Sequence, residues 1–233
     1  MFDPHLPTPD AVEGIRNFGW VVPGLVARGE QPPLTPEAFE TLSKDHGIHA
    51  VLSLRPDREP PTPRSVLRWP EYIVEQERDL AEAVGMRFFH VPLEDFSAPS
   101  PDSIAAALTV LDAQVAREPA VYVHCRAGAG RAGVVSGAWL IAHGGSGDRA
   151  AALYEAFMQH VAESRQMSAD EVREMQVRVG QPYVWWSLRE IADALGSPIE
   201  GDYDMLPPER PPEADTWPRS YRAALQPWRE RRD

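Results

Sequence analysis

Residues 120–133 read AVYVHCRAGAGRAG. The first five, Ala120 to His124, form a short run rich in valine with a tyrosine, the pattern of a buried strand. From Arg131 to His143 (RAGVVSGAWLIAH) the chain reads as a helix, and Gly144-Gly145 closes it. Between the two lies a tight turn containing Gly128 and Gly130 and the chain's only cysteine, Cys125. The unit is therefore strand, glycine-rich turn, helix.

The same alternation extends outward. His49–Leu54 (HAVLSL) and Arg87–Val91 (RFFHV) read as further strands, and Val21–Ala27, broken by Pro23 and Gly24, reads as a hairpin or an edge strand. Thr35-Pro36-Glu37 has the cap, the first-position proline and the acidic first turn of a helix that Gly47 would stop. Ser100-Pro101-Asp102 opens another helix, to about Arg117. A helix is expected from about Glu71 to Val84, with a proline- and arginine-bearing loop at 55–70 before it. After Gly147 the chain reads as helical. Ser168 and Glu171 form a capping box, Gly180 ends that helix, and Val184, Leu188, Ile191 and Leu195 form an apolar stripe stopped by Gly196. Strands alternating with helices imply an α/β fold: a central, mostly parallel sheet of four to five strands flanked by helices. In such sheets ligands bind beyond the carboxyl ends of the strands, which directs attention to the turn after His124.

Prolines mark the organisation. Of 24, twelve lie in residues 1–70, five in 71–196 and seven in 197–233. We expect an irregular arm at 1–17, one catalytic-sized domain at 18–196 and a proline-rich extension at 197–233. Trp217, Tyr221, Leu225 and Trp228 make that extension too apolar for a spacer, so it should dock on the domain or on a protein partner.

The net charge of −12 argues against a nucleic-acid or anionic-membrane binder. No apolar run is long enough to span a bilayer, and the start, MFDPHLPTPD, lacks a basic segment followed by an apolar one, so a cytoplasmic protein is expected. A single cysteine excludes an intrachain disulfide and a multi-cysteine metal site. Lys44 is the only lysine among 23 basic residues, so an anion site here must use arginine, histidine or backbone N–H groups.

The turn has the parts of such a site. Successive N–H groups in a glycine-bearing strand-to-helix turn can cradle an anion. A thiol at a helix N-terminus beside arginines is favoured as the nucleophilic thiolate. Arg131, six residues after Cys125, offers a planar fork for two phosphoryl oxygens. Together they supply what covalent phosphoryl transfer needs without a metal or other cofactor. Gly128, Gly130 and Gly133 also spell the glycine pattern of dinucleotide-binding turns. That reading needs a second strand and an acidic residue about 20 positions further on, where this chain instead continues as HGGSGD and more helix.

The segment His124–Arg131, HCRAGAGR, resembles the H-C-x-x-G-x-x-R loop of the cysteine-dependent protein tyrosine and dual-specificity phosphatases. Upstream, NFGWVVPGLVARGEQP and FETLSKDHGIHAVLSLRPDRE resemble the amino-terminal half of the small atypical dual-specificity members, so the likeness covers about residues 17–195. It implies that Cys125 attacks phosphorus and that residues Arg126, Ala127, Gly128, Ala129, Gly130 and Arg131 bind the phosphoryl oxygens. It also implies that His124 orients the loop. The acid for the leaving group would be Asp95, in HVPLEDFSAPSP, 30 residues before Cys125, with Glu94 its nearest rival. Arg28 would support the domain or line the pocket, and Arg55, Arg58, Arg64 and Arg68 would form a rim for anionic substrates or serve as loop charges.

One departure matters. The family usually has serine or threonine after the loop arginine, where this chain has Ala132. That hydroxyl bonds the sulfur and helps it leave phosphocysteine. The phosphatases of regenerating liver share the alanine and are slow. The resemblance therefore implies a phosphomonoesterase with a competent first step and a slow second one. A phosphate-sensing binding module and an inositol-phosphate or phosphoinositide phosphatase are the alternatives.

Overall fold

A computed structural model describes residues 12, 14–59, 71–118, 120–164, 166–178, 181–203 and 221–232. Arg64, Arg68, Gly180, Trp217 and residues 1–11 of the expected arm lie outside the described residues.

Seven strands occur among the described residues: β1 (Gly19–Val22), β2 (Val26–Glu30), β3 (Ala50–Ser53), β4 (Arg58–Glu59), β5 (Tyr72–Ile73), β6 (Arg87–His90) and β7 (Val121–Cys125). Five build the central sheet, in the order β1-β2-β7-β3-β6. β1 and β2 are an antiparallel hairpin; β2, β7, β3 and β6 run parallel. The sheet is the mostly parallel one that the strand–helix alternation implies. Both readings for Val21–Ala27 hold: β1 and β2 form a hairpin with β1 at the sheet edge, and β2 continues to Glu30 inside the sheet, beside β7.

Helices α1 (Pro36–Glu40) and α2 (Val74–Ala83) cover one face, and α3 (Pro101–Arg117), α4 (Gly130–Ala142), α5 (Gly147–Ser164) and α7 (Gln181–Ala194) the other. α6 (Ala169–Arg178) precedes α7, and the short α8 (Tyr221–Ala224) and α9 (Gln226–Arg229) end the described chain. The caps behave as their residue types dictate. The Ala38 N–H donates to Thr35 Oγ1, the Ser103 N–H to Ser100 Oγ, and Ser168 and Glu171 bond reciprocally. After Glu40 the first helix widens into a single π-type turn, Thr41–Asp45, before Gly47 at φ +64°.

One expectation is corrected. The helix expected from Glu71 begins at Val74, because Tyr72 and Ile73 pair antiparallel with Arg58 and Glu59. The expected loop at 55–70 thus contains a short strand, Arg58–Glu59, fixed by tertiary pairing with residues beyond it, which residue pattern alone does not reveal.

Alternation across β7 positions the site. Val121, Val123 and Cys125 face the α3/α4 side, while Tyr122 packs on the α1/α2 side. Helix α4 is buried from Arg131 to Ala142, and the stripe Val184, Leu188, Ile191 and Leu195 is buried beside it. Tyr221, Leu225 and Trp228 join the same core, and Val12 and Ile15 join the core on the opposite face. The carboxyl ends of β2, β7, β3 and β6 lie in register, with Glu30 beside Cys125 and Ser53 beside both His124 and His90. The connections that leave those ends are where the sequence concentrates its chemistry.

Candidate active site

Cys125 ends β7, is 3% exposed, and is followed by a four-residue turn into α4. Two interactions shape this turn. The Arg126 carbonyl accepts from the Gln31 N–H (3.3 Å) and the Ala127 carbonyl from Asn17 Nδ2 (2.8 Å). In a trans peptide the following N–H points opposite to the carbonyl, so the Ala127 and Gly128 N–H groups face away from these partners. Gly128 has φ +73°, and a Cβ there would stand 2.2 Å from the Gly29 carbonyl carbon. Both the left-handed backbone and the close approach of β2 require glycine. Gly133, one turn into α4, admits the Arg28 guanidinium and the Tyr154 ring to positions 2.7 Å from where a Cβ would sit.

Arg131 is 4% exposed and turned back toward the strand ends. Its Nη1 donates to the Leu93 carbonyl (3.2 Å). Its Nη2 lies 3.3 Å from Glu59 Oε1 and 3.2 Å from Asp95 Oδ1. Burial disfavours the Arg131 cation, but its electrostatic coupling to Cys125, Asp95 and Glu59 outweighs this, and its pKa rises. Its Nε is buried without a hydrogen-bond partner. The structure therefore brings Cys125, Arg131 and Asp95 together, although Asp95 is 30 residues from the thiol in sequence.

Asp95 follows β6 on a connection tied to the sheet by the Leu93 N–H donating to the Leu54 carbonyl (3.1 Å). Burial pushes its carboxyl up. Arg131 and Arg126 pull it down and Glu59 pushes it up again, for a net rise above the ordinary aspartate range. Glu94, the rival acid, is exposed and has no ion pair to the arginines among the described residues. Asp102 lies in the first turn of α3, a place explained by the helix dipole.

Two carboxylates at the site were not singled out by sequence pattern. Glu59, in β4, is 5% exposed. Its Oε2 accepts from Arg55 Nε, and its Oε1 lies 3.0 Å from Arg126 Nη2 as well as near Arg131. Burial opposes its charge, but Arg131, Arg55 and Arg126 together hold its pKa below the usual range. Arg55, one of the expected rim arginines, is 1% exposed and lies 4.1 Å over the Tyr72 ring, whereas Arg58 is exposed. Glu77, in α2, is fully buried, with Oε1 2.7 Å from His124 Nε2 and 3.1 Å from Gln31 Nε2. Tyr72 donates to Glu77 Oε2 (2.7 Å) and bonds Ser53 Oγ (2.8 Å). Burial opposes ionisation of Glu77, and His124 with these donors more than compensates. Removing one partner of such a buried pair generally costs ~3–5 kcal/mol. A sequence signal for Glu77 exists: Val74, Glu77 and Ala81 fall at i, i+3 and i+7, the buried stripe of α2.

Arg28 is fully buried under α4, its guanidinium 3.5 Å from the Phe157 ring centre. Burial pulls its pKa down to about 9, with Tyr154 and Cys125 opposing the fall. Ala132 is completely buried, its carbonyl accepting from Ser136 Oγ at 2.6 Å. Among the described residues no group of three or more His, Cys, Asp or Glu is placed to hold a metal ion. Nor is any described helix long and apolar enough to cross a membrane.

A phosphatase-domain family model of the dual-specificity and protein tyrosine type matches residues 15–178, which makes the protein a cysteine-based phosphatase of that class. Within it, the chain belongs to the family described as "PTP-SAK: Swiss Army Knife protein, DSP-PTPase phosphatase domain". The chain is also similar to solved structures. TpbA of P. aeruginosa is 15% identical over 83% of this chain and 98% of that one, with TM-score 0.51. Tk-PTP in its active form is 26% identical over 72% of this chain and 100% of that one (TM-score 0.44). PTPMT1 is 17% identical over 63% and 81% (TM-score 0.43). TpbA has been captured with pTyr and PTPMT1 with PI(5)P.

Proposed function

We propose that the protein hydrolyses a phosphomonoester through a phosphocysteine intermediate, acting as a protein tyrosine or dual-specificity phosphatase with a slow second step. The observation that carries the reading is the meeting of Arg131 with Asp95 at 3.2 Å beside Cys125, three groups delivered by two separate loops. In the first step Cys125 Sγ attacks phosphorus. The S–P bond forms, the P–O bond to the leaving group breaks, and Asp95 gives its proton to the departing oxygen. The N–H groups of residues 126–131 and the Arg131 fork hold the three equatorial oxygens, and a phosphoryl oxygen gives the buried Arg131 Nε an acceptor. In the second step the Asp95 carboxylate takes a proton from water as its oxygen attacks phosphorus. The S–P bond breaks, the thiolate returns and inorganic phosphate leaves. His124, held by Glu77, orients the start of the loop.

The charge balance favours one phosphoryl group at a time. Arg55, Arg126 and Arg131 share Glu59, and Arg131 also meets Asp95, so two carboxylates offset much of the positive charge of three guanidinium groups at the mouth. That is poorer ground for the inositol-phosphate or phosphoinositide alternative. The expected partner is a phosphoprotein or small phosphomonoester, and the expected setting is the cytoplasm.

Asp95 must be protonated to act as an acid. Its pKa is raised, so the falling, basic limb of the pH profile of kcat/KM should lie above the ordinary aspartate value near ~4. Asp95→Asn should remove that limb and lower kcat/KM for phenyl phosphate by about 10²–10³-fold, within the usual range for general acids. An unchanged basic limb in the variant would assign it to another group.

The reading as a whole is tested by rapid mixing with p-nitrophenyl phosphate. A burst of p-nitrophenol near one equivalent, then slow release, is expected, because Ala132 offers the sulfur no hydroxyl. Ala132→Ser should raise the steady rate by about tenfold, the effect of one neutral hydrogen bond of ~1.4 kcal/mol. Release of no p-nitrophenol while phosphate still binds would favour the binding-module alternative.

A further inference from the structure

The connection that holds Asp95 is pinned at both ends, and only one pin belongs to the part of the chain matched by the phosphatase family. At its start, the Leu93 N–H bonds the Leu54 carbonyl and the Leu93 carbonyl accepts from Arg131. At its end, the Pro99 carbonyl accepts a 2.6 Å bond from the hydroxyl of Tyr221, 122 residues away and beyond residue 178, where the family match stops. Between the pins Phe96 has φ +59° and is 49% exposed. A bulky residue in left-handed backbone is unfavourable and persists only where its surroundings hold it.

The segment carrying Tyr221 is firmly seated. Tyr221 is 2% exposed, and its hydroxyl also meets Ser187 of α7. Leu225 is fully buried. Trp228 Nε1 and Arg231 Nη2 both donate to Asp112 Oδ2, at 2.9 and 3.0 Å. Asp112 Oδ1 in turn lies 3.2 Å from Trp139 Nε1 and 3.1 Å from His143 Nε2, both on or next to α4. Arg232 Nη1 reaches the Gly145 carbonyl. The segment therefore ties α3 and the end of α4 to the last residue before the α3 cap.

We propose that the carboxy-terminal segment 221–232 is part of the catalytic apparatus, with Tyr221 a positioning residue that holds the Asp95 connection in register with Arg131. This rests on the reading of Asp95 as the acid. Tyr221 touches no substrate. It fixes the Pro99 carbonyl, and thereby limits how far Asp95 can stray from the leaving oxygen. Misplacement by about 1 Å can cost up to ~10²-fold in rate.

The test uses the full chain and reads kcat/KM, which reports the first, acid-assisted step even when the second step limits turnover. Tyr221→Phe keeps the buried ring and removes only the hydroxyl. With phenyl phosphate, whose leaving group needs a proton, it should lower kcat/KM by about fivefold to tenfold, a modest share of what misplacing the acid can cost. With 2,4-dinitrophenyl phosphate, whose leaving group departs unprotonated, the loss should vanish. In an Asp95→Asn background it should vanish for both substrates. Equal loss with both substrates, loss that multiplies with that of Asp95→Asn, or no loss would each overturn the proposal. If Asp95→Asn alone leaves phenyl phosphate hydrolysis unchanged, the acid assignment itself falls, and that outcome is distinct from a failure confined to Tyr221.

Discussion

Cys125→Ser should abolish turnover, with kcat falling by at least about 10⁴-fold, as when a nucleophile is removed from other covalent enzymes. Serine differs from cysteine by one atom, and a hydroxyl at this site is not ionised near neutral pH. The cradle should survive the change. Its backbone is set by Gly128 against β2 and by the Asn17 and Gln31 bonds to the Ala127 and Arg126 carbonyls, none of which involves the sulfur. Affinity for inorganic phosphate, measured by calorimetry, should therefore stay within a few-fold of that of the unaltered protein. Loss of phosphate binding together with turnover would mean that the thiol organises the loop. Persistent turnover would remove the nucleophile from Cys125.

Arg131→Lys should lower kcat/KM by about 10²–10³-fold while keeping the formal charge, as expected when a transition-state donor is lost. The guanidinium reaches the Leu93 carbonyl with one Nη and the Glu59 and Asp95 carboxylates with the other. Lysine offers a single ammonium that cannot reproduce that fork or grip two phosphoryl oxygens in plane. The loss should fall mainly on kcat/KM for aryl phosphates and leave thermal stability nearly intact, because Glu59 retains Arg55 and Arg126. A variant with near-normal kcat/KM would show that positive charge alone suffices.

These two residues are also the ones most readily read from sequence, for a physical reason. Cys125 and Arg131 belong to one continuous turn whose glycines, strand and helix are encoded locally, so spacing carries their geometry. Asp95 is reachable through the resemblance, which implies an acid on the loop after an earlier strand, here β6, 30 residues before Cys125. The helix caps at Thr35, Ser100 and Ser168 and the stripe of α7 were legible on the same local grounds. Glu59 was not. Its strand is two residues long and exists only because Tyr72 and Ile73 come alongside, so nothing near Glu59 announces a buried carboxylate among three arginines. Glu77 falls on the stripe that α2 buries, but its partner His124 shows only once α2 is placed against that face of β7. The role of Tyr221 depends on a contact spanning 122 residues, which no local pattern encodes.

The account turns on a covalent bond between Cys125 and phosphorus. Rapid mixing with p-nitrophenyl phosphate, acid quench within the burst and peptide mass analysis test it directly. The expected result is one phosphoryl group on the peptide containing Cys125, absent from the Cys125→Ser protein and shorter-lived in Ala132→Ser. A p-nitrophenol burst with no phosphoryl group on that peptide, or with the group on another residue, would contradict it.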